Sequence, residues 1–200
     1  RIFEICQEPP LLQLQRQFHL EESTTQNGGA RTIFIEYMTP GTTVPPHYHT
    51  RFAETFDLIS GSISVYSSTT PDLDALEASV RPIEIGKMAS VEPGLYHKYK
   101  VGAEQTELRV ILTPGDADFE RALMIMNGLN ADGKLAGMAD SVLLMAVAME
   151  LCNAHIIGPA AEMLEGVKVG KKDEVEALRR ELLGKYDTEE ALKALLAKIE

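Results

Sequence analysis

Gly41-Thr-Thr-Val-Pro-Pro-His47-Tyr-His49-Thr-Arg-Phe-Ala-Glu54-Thr-Phe-Asp-Leu-Ile-Ser-Gly61 is the stretch on which the reading of this chain turns. His47 and His49 stand two apart on an extended run, so both imidazoles point to one face. Glu54 lies on the next run, after a short loop. If that run folds back antiparallel, its carboxylate comes round to meet the histidines. Two imidazoles and a carboxylate converging inside a closed barrel suit a divalent first-row metal. A third imidazole follows in Gly86-Lys-Met-Ala-Ser-Val-Glu92-Pro-Gly94-Leu-Tyr-His97, where a tight turn at Pro93-Gly94 feeds a strand that starts near His97. Tyr99 shares the face of His97, while Tyr96 and Lys98 point the other way. His19 and His155 fall outside this group.

Outward from that stretch, the first half of the chain reads as strands. Arg31 to Met38 is rich in β-branched and aromatic residues, and Ser62 to Tyr66 alternates polar with apolar. Thr106 to Thr113 puts Leu108, Val110 and Leu112 on one face and Glu107, Arg109 and Ile111 on the other. Gly28-Gly29, Pro40-Gly41, Ser60-Gly61, Pro71-Asp72, Pro93-Gly94 and Pro114-Gly115 punctuate these runs. Short strands at this spacing predict an antiparallel sandwich or barrel. Alternation puts Phe56 and Leu58 on the inward face with Glu54. Phe56 and Tyr99, with Tyr37 from the preceding strand, are therefore read as core fillers or as lining of a substrate pocket. Arg51, in the loop between ligands, is read as a solvated side chain or as a partner for an anionic substrate.

The second half reads as helices. Asp116 to Leu129 opens with acidic residues and carries Phe119, Ala122, Leu123 and Met126 at i, i+3, i+4, i+7. A second helix is expected from Ser141 to about His155, capped by Asp140, with Pro159 beyond its end. Asp173 with Glu176, and Asp187 with Glu190, have the capping-box spacing ahead of two further apolar stripes. Gly166 to Lys172 reads as a flexible joint. The methionines of this half, including Met124, Met145 and Met163, read as helix core. The expected organisation is a β unit over residues 1–115 and a helical extension over residues 116–200, packed on the barrel or on a partner chain.

Composition narrows the function classes. The chain has 200 residues, with 44% hydrophobic and 24% charged, as in a globular protein. Its formal charge is −11, divided as −5 up to Gly115 and −6 after it. Neither half offers the basic face that nucleic acid or an anionic membrane requires. Ser141 to Met149 is the most apolar stretch, and it is too short to span a bilayer. Cys6 and Cys152, far apart in apolar surroundings, read as buried thiols of a reducing compartment, so a cytoplasmic location is expected. Arg1-Ile2-Phe3-Glu4 lacks the charged-then-apolar run of a signal peptide, although the missing initiator Met leaves room for a leader removed earlier.

Gly41-x5-His47-x-His49-x4-Glu54-x6-Gly61 resembles the first conserved motif of the cupin superfamily at every key position. By this composition it arises by chance with a probability on the order of 10⁻⁴. Gly86-x5-Glu92-x-Gly94-x2-His97 is similar to the second motif, with Glu92 where the family usually has Pro and Val101 where Asn is common. The resemblance covers roughly residues 30 to 115; the helical tail is only loosely similar to that of a group of small bacterial cupins. It implies a double-stranded β-helix, or jelly-roll, barrel followed by C-terminal helices. It also implies one divalent transition metal (Fe, Mn, Ni, Cu, Co or Zn) on His47, His49, Glu54 and His97. Three imidazoles and one carboxylate leave one or two coordination positions open.

The activity expected from the resemblance is that of an oxygenase-type, dioxygenase-like oxidoreductase acting on a small phenolic or enolic substrate. Glu54 would be ligand or general base. The alternatives are a non-redox isomerase or lyase, which usually adds a Lys or Arg for an anion, and a non-catalytic binding module. Cupins commonly pair through their barrels, so a homodimer is expected.

Overall fold

The computed structural model describes residues 17–138 and 141–197. In chain order the elements are β1 (Gln17–Glu22), α1 (Thr24–Asn27), β2 (Thr32–Met38), β3 (Thr43–Tyr48), β4 (Ala53–Ser60), β5 (Ile63–Ser68), α2 (Leu73–Ala78), β6 (Arg81–Ile83), β7 (Met88–Val91), β8 (Tyr96–Val101) and β9 (Thr106–Thr113). Then follow α3 (Ala117–Ala131), α4 (Leu135–Met138), α5 (Val142–Leu151), β10 (His155–Ile156), α6 (Pro159–Gly170), α7 (Lys172–Tyr186) and α8 (Glu189–Leu196). The strands form two five-stranded antiparallel sheets, ordered β1-β2-β9-β4-β7 and β10-β3-β8-β5-β6.

Period-2 alternation explains how the sheets stack. On β9, Leu108, Val110 and Leu112 are buried, and they meet Phe56, Leu58 and Val65 in the space between the sheets. Full burial of each such side chain stabilises by roughly 1.5–3 kcal/mol. The sheets do not close into the expected barrel. Among the described residues no ladder joins one sheet to the other, so side-chain packing holds the two layers together. Gly61, the last glycine of the first motif, has φ 84°, and a Cβ there would lie 2.3 Å from the Gln105 carbonyl oxygen. Only glycine fits that turn.

The helices share this core rather than hanging from it. Phe119 and Leu123 of α3 and Leu195 of α8 pack with the sheet residues. A second apolar cluster, with Leu129, Leu144, Val147, Leu164, Val175 and Leu182, joins α3 and α5 to α6 and α7. Asp116 caps α3 as its acidic opening predicts, accepting from Phe119 N at 2.8 Å.

Other helix ends differ from the sequence reading. Asp140 lies outside the described residues, and Ser141 caps α5. His155 belongs to a strand, because the chain leaves α5 to pair with β3. Pro159 opens α6 instead of trailing α5, as suits a residue with no N–H to satisfy. The expected joint at Gly166 to Lys172 is mostly helix, broken only at Lys171. Asp173 falls inside the first turn of α7, and Thr188 rather than Asp187 caps α8. Met163 is 42% exposed, outside the core assigned to it. Cys6 lies outside the described residues; Cys152 is half-buried. No helix among the described residues is long and apolar enough to cross a membrane.

Candidate metal centre

The register of β3 against β8 places the histidines. Val44 faces Tyr99 and His47 faces His97, so three residues of β3 span two of β8. The extra residue is a bulge at Pro45-Pro46. Prolines suit it, since neither has an N–H to give to the ladder. The bulge also reverses the alternation. Val44 already points inward, and without the added residue His47 would point outward; with it, His47 and His49 both turn in. Glu54 enters from β4 of the opposite sheet, beside Phe56 and Leu58 on the inward face.

All four side chains are buried, and their candidate ligand atoms lie within 4.8 Å of one another. His47 Nε2 is 3.1 Å from His49 Nε2. His97 Nε2 is 3.0 Å, and His49 Nε2 3.5 Å, from Glu54 Oε2. Each Nδ1 is turned away to a backbone carbonyl: His47 to Pro45 at 2.8 Å, His97 to Leu95 at 3.0 Å, His49 to Asn153 at 3.1 Å. A carbonyl only accepts, so each Nδ1 carries a proton and each Nε2 is left to face the others and Glu54. Three Nε2 atoms and a carboxylate at these distances need shared cations, protons or a metal.

The electrostatics agree. Burial holds the His47 pKa well below its usual 6.5, the neighbouring His97 and His49 lower it further, and Glu54 and the Pro45 carbonyl only partly oppose this. Burial alone would raise the Glu54 pKa, but hydrogen bonds from His49 and His97 and their charge overcome it and hold the carboxyl far below the usual range. A neutral imidazole beside an ionised carboxylate is the state that binds a divalent metal.

A cavity of about 120 Å³ opens onto this cluster. Its walls are apolar: Phe34 and Val44 from the sheets, Phe119, Leu123 and Met126 from α3, Met149 from α5. Besides the cluster, Glu36 and Tyr99 contribute polar groups, and no lysine or arginine is among the described lining residues. Tyr99 donates to Glu36 Oε2 at 2.7 Å, with both residues buried.

The sequence-predicted site residues thus part company. His47, His49, Glu54 and His97 come together. Tyr99 lines the cavity. Phe56 is fully buried core, 6.4 Å from the His97 ring and 5.7 Å from the Tyr99 ring between centroids, and is not a cavity wall. Tyr37 is on the opposite face, paired with Glu107, because Phe34 and Glu36 take the inward positions of β2. Arg51 is exposed, and it is not among the residues lining the cavity. It ties the ligand loop to the helices through Asp116 at 2.7 Å, Asp118 at 3.3 Å and the Leu151 carbonyl at 2.7 Å.

Two residues of the site went unread. Glu36 is one; anchoring the β2 alternation on Phe34 would have turned it inward. Asn153 is the other; its signal is an asparagine directly after an apolar helix that has no glycine to end it.

No family model matches the chain, and no curated protein matches it. Solved structures do, and they are cupin and double-stranded β-helix proteins. One is KdgF from a Halomonas species, 14% identical, covering 53% of this chain and 84% of its own, with a TM-score of 0.44. Another is the cupin domain of Schizosaccharomyces pombe Cnp3, at 18% identity, 52% and 67% coverage and a TM-score of 0.41. A third is an oxalate decarboxylase of Bacillus subtilis, at 21% identity, 48% and 24% coverage and a TM-score of 0.39. Each of these likenesses extends over about half of this chain.

Proposed function

We propose that this chain is a metal-dependent cupin enzyme holding one divalent transition metal on His47, His49, Glu54 and His97, with an oxygenase-type activity on a small phenolic or enolic substrate. The observation that carries the reading is the orientation of the three imidazoles, each anchored through Nδ1 so that Nε2 faces Glu54. That donor set fits a borderline metal such as Fe, Mn, Ni, Cu, Co or Zn. A bound metal would supply Lewis acidity and, for a redox-active ion, a path for electrons between substrate and dioxygen.

The chain's own residues supply the rest. Apolar walls from the sheets and from α3 and α5 exclude water. A cavity of about 120 Å³ suits a body of roughly benzene size, since an apolar cavity of about 150 Å³ holds benzene. With no described cationic side chain lining it, the cavity favours a phenol or enol over a sugar phosphate. Glu54 has a second role open to it, accepting the substrate's hydroxyl proton. The partner expectations stay part of this proposal: a small-molecule substrate, no nucleic acid, no membrane, and a homodimer in a reducing, cytoplasmic setting.

Metal content of untagged protein tests it, measured by plasma mass spectrometry beside His47→Ala and Glu54→Ala. About one equivalent of Fe, Mn, Ni or Cu, lost in both variants, with dioxygen uptake on a phenolic and enolic panel, is the expected result. Stoichiometric Zn without dioxygen uptake would replace the oxygenase with a non-redox isomerase or lyase. No metal after reconstitution would leave a ligand-binding module.

A further inference from the structure

His47 and His97 are oriented by carbonyls two residues upstream; His49 is oriented from 104 residues away, by Asn153. Asn153 ends α5 with φ 50°, the one non-glycine residue at positive φ among those described. Its N–H bonds the Glu150 carbonyl at 3.1 Å, and the next N–H, that of Ala154, bonds the Met149 carbonyl at 2.8 Å. These are the two bonds of a Schellman motif, with asparagine in the left-handed place that glycine usually takes. The turn aims the Asn153 carbonyl at His49 Nδ1. The side chain then grips the ligand loop: its Oδ1 accepts from Thr50 N at 2.6 Å, Thr50 Oγ1 at 2.9 Å and Arg51 N at 3.1 Å. Directly afterwards β10 pairs with the ligand strand, Ile156 opposite His47.

We propose that Asn153 is a positioning residue of the metal centre. Its turn makes the helical tail a working part of the site by fixing His49 as an Nε2 ligand. This rests on the metal-site reading above, but its first consequence does not need a metal. A residue here must do three things at once: adopt positive φ, accept three hydrogen bonds from the loop, and present its carbonyl to His49. Asn does all three. Asp keeps the acceptor and tolerates the backbone. Gly keeps the backbone and loses the grip. Ala loses the grip and strains the turn.

The experiment compares Asn153→Asp, Asn153→Gly and Asn153→Ala with wild type. In metal-free protein, long-range proton–nitrogen spectra of the imidazoles report exchange of the His49 Nδ1 proton with water. His47 and His97 serve as internal controls. Titration with Co²⁺ alone then reports affinity and the visible bands of the coordinated ion. Exchange at His49 is expected to accelerate in the Ala variant and, less, in the Gly variant, with the Asp variant close to wild type. Co²⁺ affinity is expected to fall about 10- to 100-fold in the Ala variant, the usual cost of losing an orienting partner, with shifted bands. Unchanged His49 exchange in the Ala variant overturns the proposal, even if all variants melt earlier, because a merely structural residue would lower stability without touching His49. If His49 exchange responds but wild type takes up no Co²⁺, the positioning role stands and the metal reading fails.

Discussion

Glu54 and Glu120 are both buried carboxylates, and their surroundings are opposites. Glu120, on α3, is ringed by donors: Ser23 Oγ at 2.7 Å, Thr24 N at 2.8 Å, Thr24 Oγ1 at 3.2 Å and Thr32 Oγ1 at 2.6 Å. Those donors belong to the β1–α1–β2 segment, so Glu120 latches the first helix of the tail to the start of the described chain. It needs nothing further. Glu54 instead meets only imidazoles whose Nδ1 protons are committed to backbone carbonyls, so what reaches it is the Nε2 side, bearing a proton or a metal. A buried carboxylate among donors is a structural latch; one among turned-away histidines is a candidate cation site.

The comparison predicts that the two variants separate cleanly. Four ligands sharing the roughly 10–16 kcal/mol of a structural zinc site would each hold about 2.5–4 kcal/mol. Glu54→Ala should therefore weaken Co²⁺ or Zn²⁺ binding on the order of 10²- to 10³-fold in a competitive chelator titration. Glu120→Ala should leave metal affinity at the wild-type value and destabilise the fold by about 3 kcal/mol, since it strands buried donors. Urea unfolding measures that cost. Equal loss of metal in both variants would erase the distinction.

Acid sharpens the same contrast. His47 is held neutral by burial, so its folded pKa lies below the ordinary 6.5. Between those two values the unfolded chain binds the extra proton, and the metal-free protein loses stability as pH falls below about 6.5. The folded pKa of Glu54 lies below its ordinary 4.5, so its contribution is present above 4.5 and is lost as pH falls through its folded pKa. Both act in one direction. Denaturation midpoints of the metal-free protein should decline from pH 7 toward pH 4, and substitution of His47 by Gln should flatten the upper part of that decline.

The cluster was legible because metal ligation needs particular side chains at short spacings, and those spacings lie on neighbouring strands. What stayed hidden was parity and distance. No residue spacing marks Pro45-Pro46 as a bulge, yet it is the bulge there that turns His47 inward. The strands β4 and β9 were assigned their faces correctly because Glu54, Phe56 and Leu58, like Leu108, Val110 and Leu112, alternate without interruption. On β2 the run Ile33-Phe34-Ile35-Glu36-Tyr37 is apolar or aromatic at nearly every position, so alternation gives no face, and it is Glu36 rather than Tyr37 that reaches the cavity. The helix caps misled for a related reason. Asp173 and Asp187 have the right spacing, but Lys171 and Thr188 sit where the chain turns. Asn153 acts on His49 across more than 100 residues, a relation that no local spacing records.

The same parity gives the smallest and most pointed test. Tyr37 and Tyr99 are chemically identical, and the sequence put both forward for the pocket. Tyr99 reaches inward and donates to Glu36 beside the cavity, whereas Tyr37 stands on the outer face opposite Glu107. Tyr99→Phe removes a buried donor from a carboxylate, which should destabilise by about 1–2 kcal/mol and alter the binding of phenol as a cavity probe. Tyr37→Phe removes a hydroxyl from the far side of the sheet and should stay within about 0.5 kcal/mol of wild type with phenol binding unmoved. If the two variants exchanged these effects, the register of β2 against β9 would be shifted by one residue, and Glu36 would leave the cavity with it.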